Sequence, residues 1–390
     1  MKLNNFKLSL LRVSLTIFFF LMSLGQIQRL QITPQVAIYL HELVLAGIAL
    51  VFTIELSSTW KNFFTKILRE KSLLILTVFL GLQTLLFQII HPDLLSVVYI
   101  SRMILYAQLF FLIRLAVKDK VFTKTEVYGL LIWMSSLITL FGFIQYLLFP
   151  DTRWLILLGW DDHYYRLIST LFDPGFTGLV IASGLILYLR IFAQGKLKLL
   201  NILVCFLFTM ATLLTYSRAS YLSLAVVLIF TLITSKHKRL PFIILLLFAC
   251  IPLLPRPSGA GVKLERTASI SSRITSNKQA LESLSLSEVI WGRGLYRNIV
   301  QSNLNVPNHA VTPDNSLVFL FVSFGTIGIV LILTSIWELR PVFFSEPIRS
   351  IILLIGIHSL FNNSLFYIWS LAILATVFSV YGLKETVRST

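Results

Sequence analysis

Apolar runs of nearly bilayer-spanning length follow one another through almost the whole chain, and this pattern constrains the fold more than any other. A hydrocarbon core takes roughly twenty helical residues to cross and offers no water to unpaired peptide groups. Runs near 8–26, 35–55, 72–91, 95–117, 127–149, 174–193, 199–217, 219–234, 241–254, 315–337, 350–361 and 364–383 read as spans. They predict an all-α integral membrane protein of about twelve transmembrane helices. A soluble fold is excluded by the composition, since 56% of the 390 residues are hydrophobic and only 13% charged. The first run follows Lys2 and Lys7 and is too long for the apolar centre of a signal peptide, so it is expected to stay as a helix.

The net charge of +16 points to nucleic acid only until the positions of the charges are considered. Most fall in alternate short loops: Lys61, Lys66, Arg69 and Lys71, then Lys118, Lys120 and Lys124, then Lys196 and Lys198, then Lys236, Lys238 and Arg239, then Arg340 and Arg349, with Lys384 and Arg388 at the end. The positive-inside rule makes these loops cytoplasmic, places both termini inside, and puts the interval before the tenth run outside. Three regions result: N-terminal helices over 1–165, a core over 166–337 containing the extracytoplasmic loop 255–314, and C-terminal helices over 338–390. Cys205 and Cys250 lie within apolar runs without pairing or ligand spacing, so neither a disulfide framework nor a zinc site is expected.

The interval from Pro255 to Asn315 is the one long polar stretch, and it carries Arg256, Lys263, Arg266, Arg273, Lys278, Arg293 and Arg297 against few acids. Outside loops hold almost no lysine, so their arginines, Arg153 and Arg166 among them, escape the topogenic explanation. For a lone arginine at a span end the ordinary reading is snorkelling to headgroups. Arg218 differs, because Thr215, Ser217 and Ser220 surround it with hydroxyls in a tight turn between two spans, a setting suited to an anion.

Four segments taken together carry a resemblance to a known family. Leu214-Thr215-Tyr216-Ser217-Arg218-Ala219 resembles the Ser-Arg-Gly or Ser-Arg-Ala signature of the O-antigen polymerase and O-antigen ligase superfamily, bacterial transferases acting on polyprenyl-diphosphate-linked glycans. The stretch from Arg166 through Asp173-Pro174 to Gly178 is similar to the segment that ends an outer loop of that family and opens the next span. Ser272-Arg273-Ile274, with Trp291-Gly292-Arg293-Gly294 after it, resembles an arginine-led outer helix closed by Gly-x-Gly. Asp314-Asn315-Ser316-Leu317 before Phe324-Gly325-Thr326-Ile327-Gly328 is similar to the polar pair that precedes a Gly-x-x-Gly span. The resemblance covers about 166–329. One departure stands out: ligases of the family carry His-Asn where this chain has Asp314-Asn315, a form more like polysaccharide polymerases, and the nearby histidine is His309.

The resemblance implies a GT-C-like glycosyltransferase that polymerises a surface polysaccharide on the outer face of the bacterial inner membrane. Its substrate would be a polyprenyl-diphosphate-linked oligosaccharide, with membrane lipid around it, a chain-length regulator as a further partner, and no cofactor. Such a reaction already has a good leaving group and must above all stabilise negative charge. Arginine suits that need, since its guanidinium stays ionised and grips phosphate oxygens bidentately. Arg218 and Arg273, with Arg293 third, are the expected diphosphate ligands in place of a metal, with Arg166, Asn315 and Ser217 as further substrate contacts. Asp314, with His309 second, is the expected base for the acceptor hydroxyl; the plain alternatives are a helix cap for Asp314-Asn315 and a loop residue for His309. A ligase that moves finished chains to lipid A core or protein is the same-class rival. A transporter or flippase is the other, with His41-Glu42 and Arg102 inside spans as its candidate residues. The aromatic stretch from Trp154 to Tyr165 reads as an interfacial anchor.

Overall fold

The computed structural model describes residues 4–33, 36–67, 70–193, 198–235, 238–255, 257, 261–265, 267–297 and 313–383. In chain order the helices are α1 (Asn5–Ser23), α2 (Leu40–Val51), α3 (Thr53–Ile67), α4 (Lys71–Ile90), α5 (Leu94–Lys118), α6 (Lys124–Leu148), α7 (Pro174–Ile191), α8 (Leu199–Leu214), α9 (Arg218–Thr234) and α10 (Arg239–Leu247). They continue with α11 (Ala268–Glu282), α12 (Leu286–Trp291), α13 (Ser316–Glu338), α14 (Arg340–Phe343), α15 (Ile348–His358) and α16 (Ile368–Ser379). Each predicted run contains a helix. Among the described residues, however, only six helices (α1, α4, α5, α6, α7 and α13) are long and apolar enough to cross a membrane, or seven if α2 and α3, bent by 76°, form one broken span; α8, α9, α15 and α16 are shorter apolar helices.

Of the runs that fall short of a span, two do so for visible local reasons. Residues 35–55 do not begin as a helix: β1 (Arg29–Thr33) and β2 (Val36–Tyr39) pair antiparallel as a hairpin before α2. Residues 241–254 hold only the short α10 and then a 3-10 turn containing Pro252, which lacks the N–H that an α-helix needs.

Helix starts follow the cap residues. Asp93 accepts from the amides of Leu95 and Ser96, Thr123 and Glu126 form a reciprocal box, Asp173 caps α7 ahead of Pro174, Ser217 caps α9 and Asn315 caps α13. Around these ends the bundle closes on a buried core that includes Phe18, Phe19, Leu45, Leu109, Leu179 and Trp369. Lipid is as apolar as these side chains, so packing and interhelical hydrogen bonds hold the helices together. Ser135 Oγ on α6 donates to the Val180 carbonyl on α7 at 3.1 Å, and the Trp369 indole donates to the Met22 carbonyl at 2.9 Å.

Of the described lysines, Lys71, Lys118, Lys120, Lys124, Lys198 and Lys238 lie at or beside one set of helix ends, whereas Lys263 and Lys278 stand in the long polar interval. At the opposite set, the chain over 165–173 is drawn into the bundle. Gln145 on α6 accepts from the Ile168 amide at 3.0 Å, Leu167 donates to the Leu214 carbonyl at 2.9 Å, and Thr170 Oγ1 donates to Ser23 at the end of α1 at 2.8 Å. Just before it, Trp154, Ile156, Leu157 and Leu158 stand exposed on a 3-10 turn, an arrangement that fits an interfacial anchor.

The long polar interval is not wholly a surface loop. Gly325 interrupts α13 with φ 62°, and the turn after α12 docks there: the Arg293 and Gly294 amides each donate at 2.9 Å, to the Val322 and Ser323 carbonyls. Gln83, midway along α4, donates to Trp291 and Ser323. Nine residues separate Ser316 from Gly325, so at 1.5 Å per residue the turn reaches about 13 Å down α13. A Cβ on Gly292, whose φ is +78°, would overlap the Ser323 carbonyl, and one on Gly325 would overlap that of Ile290. Gly292→Ala is therefore expected to destabilise the protein by roughly 2–4 kcal/mol, from overpacking together with a left-handed backbone, seen as a lower melting temperature in detergent.

Candidate active site

The corner between α8 and α9 is built from its own hydroxyls. Thr215 Oγ1 accepts the Ser217 amide at 3.2 Å, Ser217 Oγ accepts the Ser220 amide at 3.3 Å, and the Ser220 hydroxyl reaches Ser217 Oγ at 2.9 Å. Tyr216 turns the chain with a left-handed φ of 51° and donates its phenol to the Pro255 carbonyl. Buried Arg166 braces the same corner, donating from Nε to the Thr215 carbonyl at 3.0 Å and from Nη2 to that of Tyr216 at 3.4 Å. Its described contacts thus hold the turn, and Ser217 serves it as a cap. Arg218 is left half-buried at the first position of α9, with Nη1 donating to the Leu264 carbonyl at 3.1 Å. A positive charge at a helix start opposes the dipole. A bound anion would offset that cost.

Leu264 leads into α11, which carries Arg273. Its guanidinium lies 3.8 Å from the Asp314 carboxylate, each side chain being 40% exposed. Such a pair is weak, at or below about 1 kcal/mol, and open to exchange of partners. Asn315 beside it accepts the Leu317 amide at 2.8 Å, so its described role is the cap of α13. Ser316 is tied to the turn between α15 and α16, its amide donating to the Ser359 carbonyl at 2.9 Å and its hydroxyl to Asn363 at 3.0 Å.

That turn links α9 to the start of α13. Fully buried His358, the last residue of α15, contacts Ser364 Oγ through Nδ1 at 2.6 Å and Ser220 Oγ through Nε2 at 3.3 Å. The corner that carries Arg166, Ser217 and Arg218 is thus joined, through the polar knot of His358, Ser220 and Ser364, to the start of α13, where Asn315 and the Arg273–Asp314 pair stand. His309 lies outside the described residues. The described partners of Arg293 are elsewhere, in Glu288 at 2.8 Å and Ser283, where it clasps the loop between α11 and α12.

Three members of the knot have no role in the reading from sequence alone. Asp173, His358 and Asn362 are single polar residues at run boundaries, and their convergence comes from long-range packing. The Asp173-Pro174 cap signal marks a helix start. It does not mark a site.

The residues singled out for a transporter are differently placed. Glu42 pairs with Arg102 at 2.5 Å, and Arg102 also donates to the Ala37 carbonyl at 2.6 Å and lies over the rings of Tyr39 and Tyr99. His41 bonds Gln28 at 2.7 Å and Tyr106 at 2.8 Å. This is a closed buried network.

Fold and site together define a helical protein with several helices of membrane-spanning length and a polar corner that carries Arg218. Residues 203–333, about a third of the chain, match the family model described as O-Antigen ligase, which supports the O-antigen ligase and polymerase-like superfamily. Members of that family are glycosyltransferase-like enzymes. The matched stretch includes Arg218, Arg273, Arg293, Asp314 and Gly325. A search of curated proteins finds no match.

Proposed function

We propose that this protein is a polysaccharide polymerase that moves a glycan from its polyprenyl diphosphate onto the sugar of an incoming lipid-linked repeat unit, on the outer face of the bacterial inner membrane. We read the chain as twelve crossings in a GT-C-like arrangement, the short and bent helices included, with both termini cytoplasmic. The observation that supports the function is the chain of contacts from the Arg218 corner, through Ser220 and His358, to the turn that Ser316 holds two residues after the Arg273-paired Asp314. Two guanidinium groups hold the diphosphate as it gains charge, and a carboxylate takes the proton of the attacking hydroxyl. Arg166 acts on the carrier through the corner it braces, and Arg293 through the loop it clasps.

With the leaving charge met by arginine, turnover is expected to stay within about twofold when divalent ions are chelated, measured as polymer formed from lipid-linked repeats by the purified protein. Loss of turnover on chelation, with recovery on adding magnesium, would refute the metal-independent step. The match to a family described as O-antigen ligase favours a second reading, ligation of finished chains. The two are separated in cells lacking a functional copy: single repeats without a length ladder mark a polymerase, whereas lipid-linked polymer without a capped acceptor marks a ligase.

A further inference from the structure

The start of α7 bounds a small polar cradle beside Arg218. Gly175 has no side chain, and the position its Cβ would take lies 3.1 Å from Asp173 Oδ1, 3.2 Å from Asn362 Nδ2 and 3.8 Å from Ser217 Oγ. A carboxylate, an amide and a hydroxyl thus face one spot, with the stacked rings of Phe176 and Tyr367, 3.8 Å apart, next to it. Sugar recognition uses such planar polar groups to bind hydroxyls.

Asp173 is half-buried, and Oδ1 caps α7 through the Phe176 amide at 2.7 Å. Burial pushes its carboxyl above the usual range, outweighing that amide and the charge of Arg166. Asp314, by contrast, lies against Arg273.

We propose that Asp173 is the base that takes the proton of the attacking acceptor hydroxyl, with Asn362 and Ser217 orienting that sugar above Gly175, and that Asp314 serves instead to hold Arg273 in place. This rests on the transferase reading given above. In the step, the acceptor oxygen bonds to the anomeric carbon and its proton passes to Asp173. The bond from that carbon to the diphosphate oxygen breaks, and the electron pair leaves with the lipid diphosphate.

The test uses the full-length protein in lipid nanodiscs with a polyprenyl-diphosphate-linked repeat unit. Asp173→Asn keeps a good cap for α7 but has no basic oxygen; kcat is expected to fall about 100-fold or more. The acidic limb of the wild-type kcat profile, where activity drops as pH falls through the raised carboxyl, disappears in that variant and persists in Asp314→Asn, which chiefly raises the donor KM. Gly175→Ala fills the cradle and raises KM for the acceptor. Wild-type kcat and an unchanged acidic limb in Asp173→Asn, with Arg218→Ala inactive, would overturn Asp173 as base and leave the transferase reading standing. Full activity in Arg218→Ala would remove that reading and this inference together.

Discussion

Arg218→Ala is expected to lower the rate of glycan transfer by two to three orders of magnitude while the protein accumulates normally in the membrane. The size follows from what a preorganised donor contributes when charge develops on a leaving group, about 3–4 kcal/mol at other oxyanion sites. The stability cost should be small, because the corner itself is held by Arg166, Ser217 and Ser220. Arg218→Lys retains charge but loses the planar fork, so partial activity is expected. Polymer gels and a transfer assay on purified protein measure both variants. A wild-type length distribution in Arg218→Ala would sink the proposed site.

The second large effect lies away from the site. Glu42→Ala leaves Arg102 without its carboxylate in an apolar setting and is expected to cost about 3–5 kcal/mol, read as a lower unfolding temperature in detergent. Replacing both partners, as in Glu42→Leu with Arg102→Met, should restore most of that stability, because paired burial contributes little net over apolar packing. The double variant also separates the rival functions. A polymerase whose pair is structural keeps making polymer once the fold is restored, whereas a transporter coupled through these charges is stable but inactive.

The helices were legible in the sequence because twenty apolar residues admit few other structures in a bilayer. Where the reading missed, a local competitor prevailed. Val36-Ala37-Ile38-Tyr39 has the β-branched and aromatic content of a strand and finds a partner in Arg29–Thr33, and Pro252 ends the helical path after α10. Arg218 was legible as a cation set among hydroxyls at a turn, and Arg273 as a charge without a topogenic reason to be there. Asp173, His358 and Asn362 were not, since His358 meets Ser220 across 138 residues of sequence and Asp173 and Asn362 flank Gly175 from positions 189 residues apart, and such proximity leaves no local periodicity. The docking of Gly292 against Gly325 was hidden for the same reason: two glycines 33 residues apart look like two separate turns.

That docking has a mechanical corollary. Because α11 and α12 both pack on α13, and Gln83 fastens the join to α4, the arm bearing Arg273 is bolted to a beam sunk in the bilayer and tilts only when the beam does. On the transferase reading, a carrier is expected to enter as α4, α12 and α13 slide as one slab against α7, α9 and α15, so a crosslink between α13 and α15 should jam loading while sparing a carrier already seated.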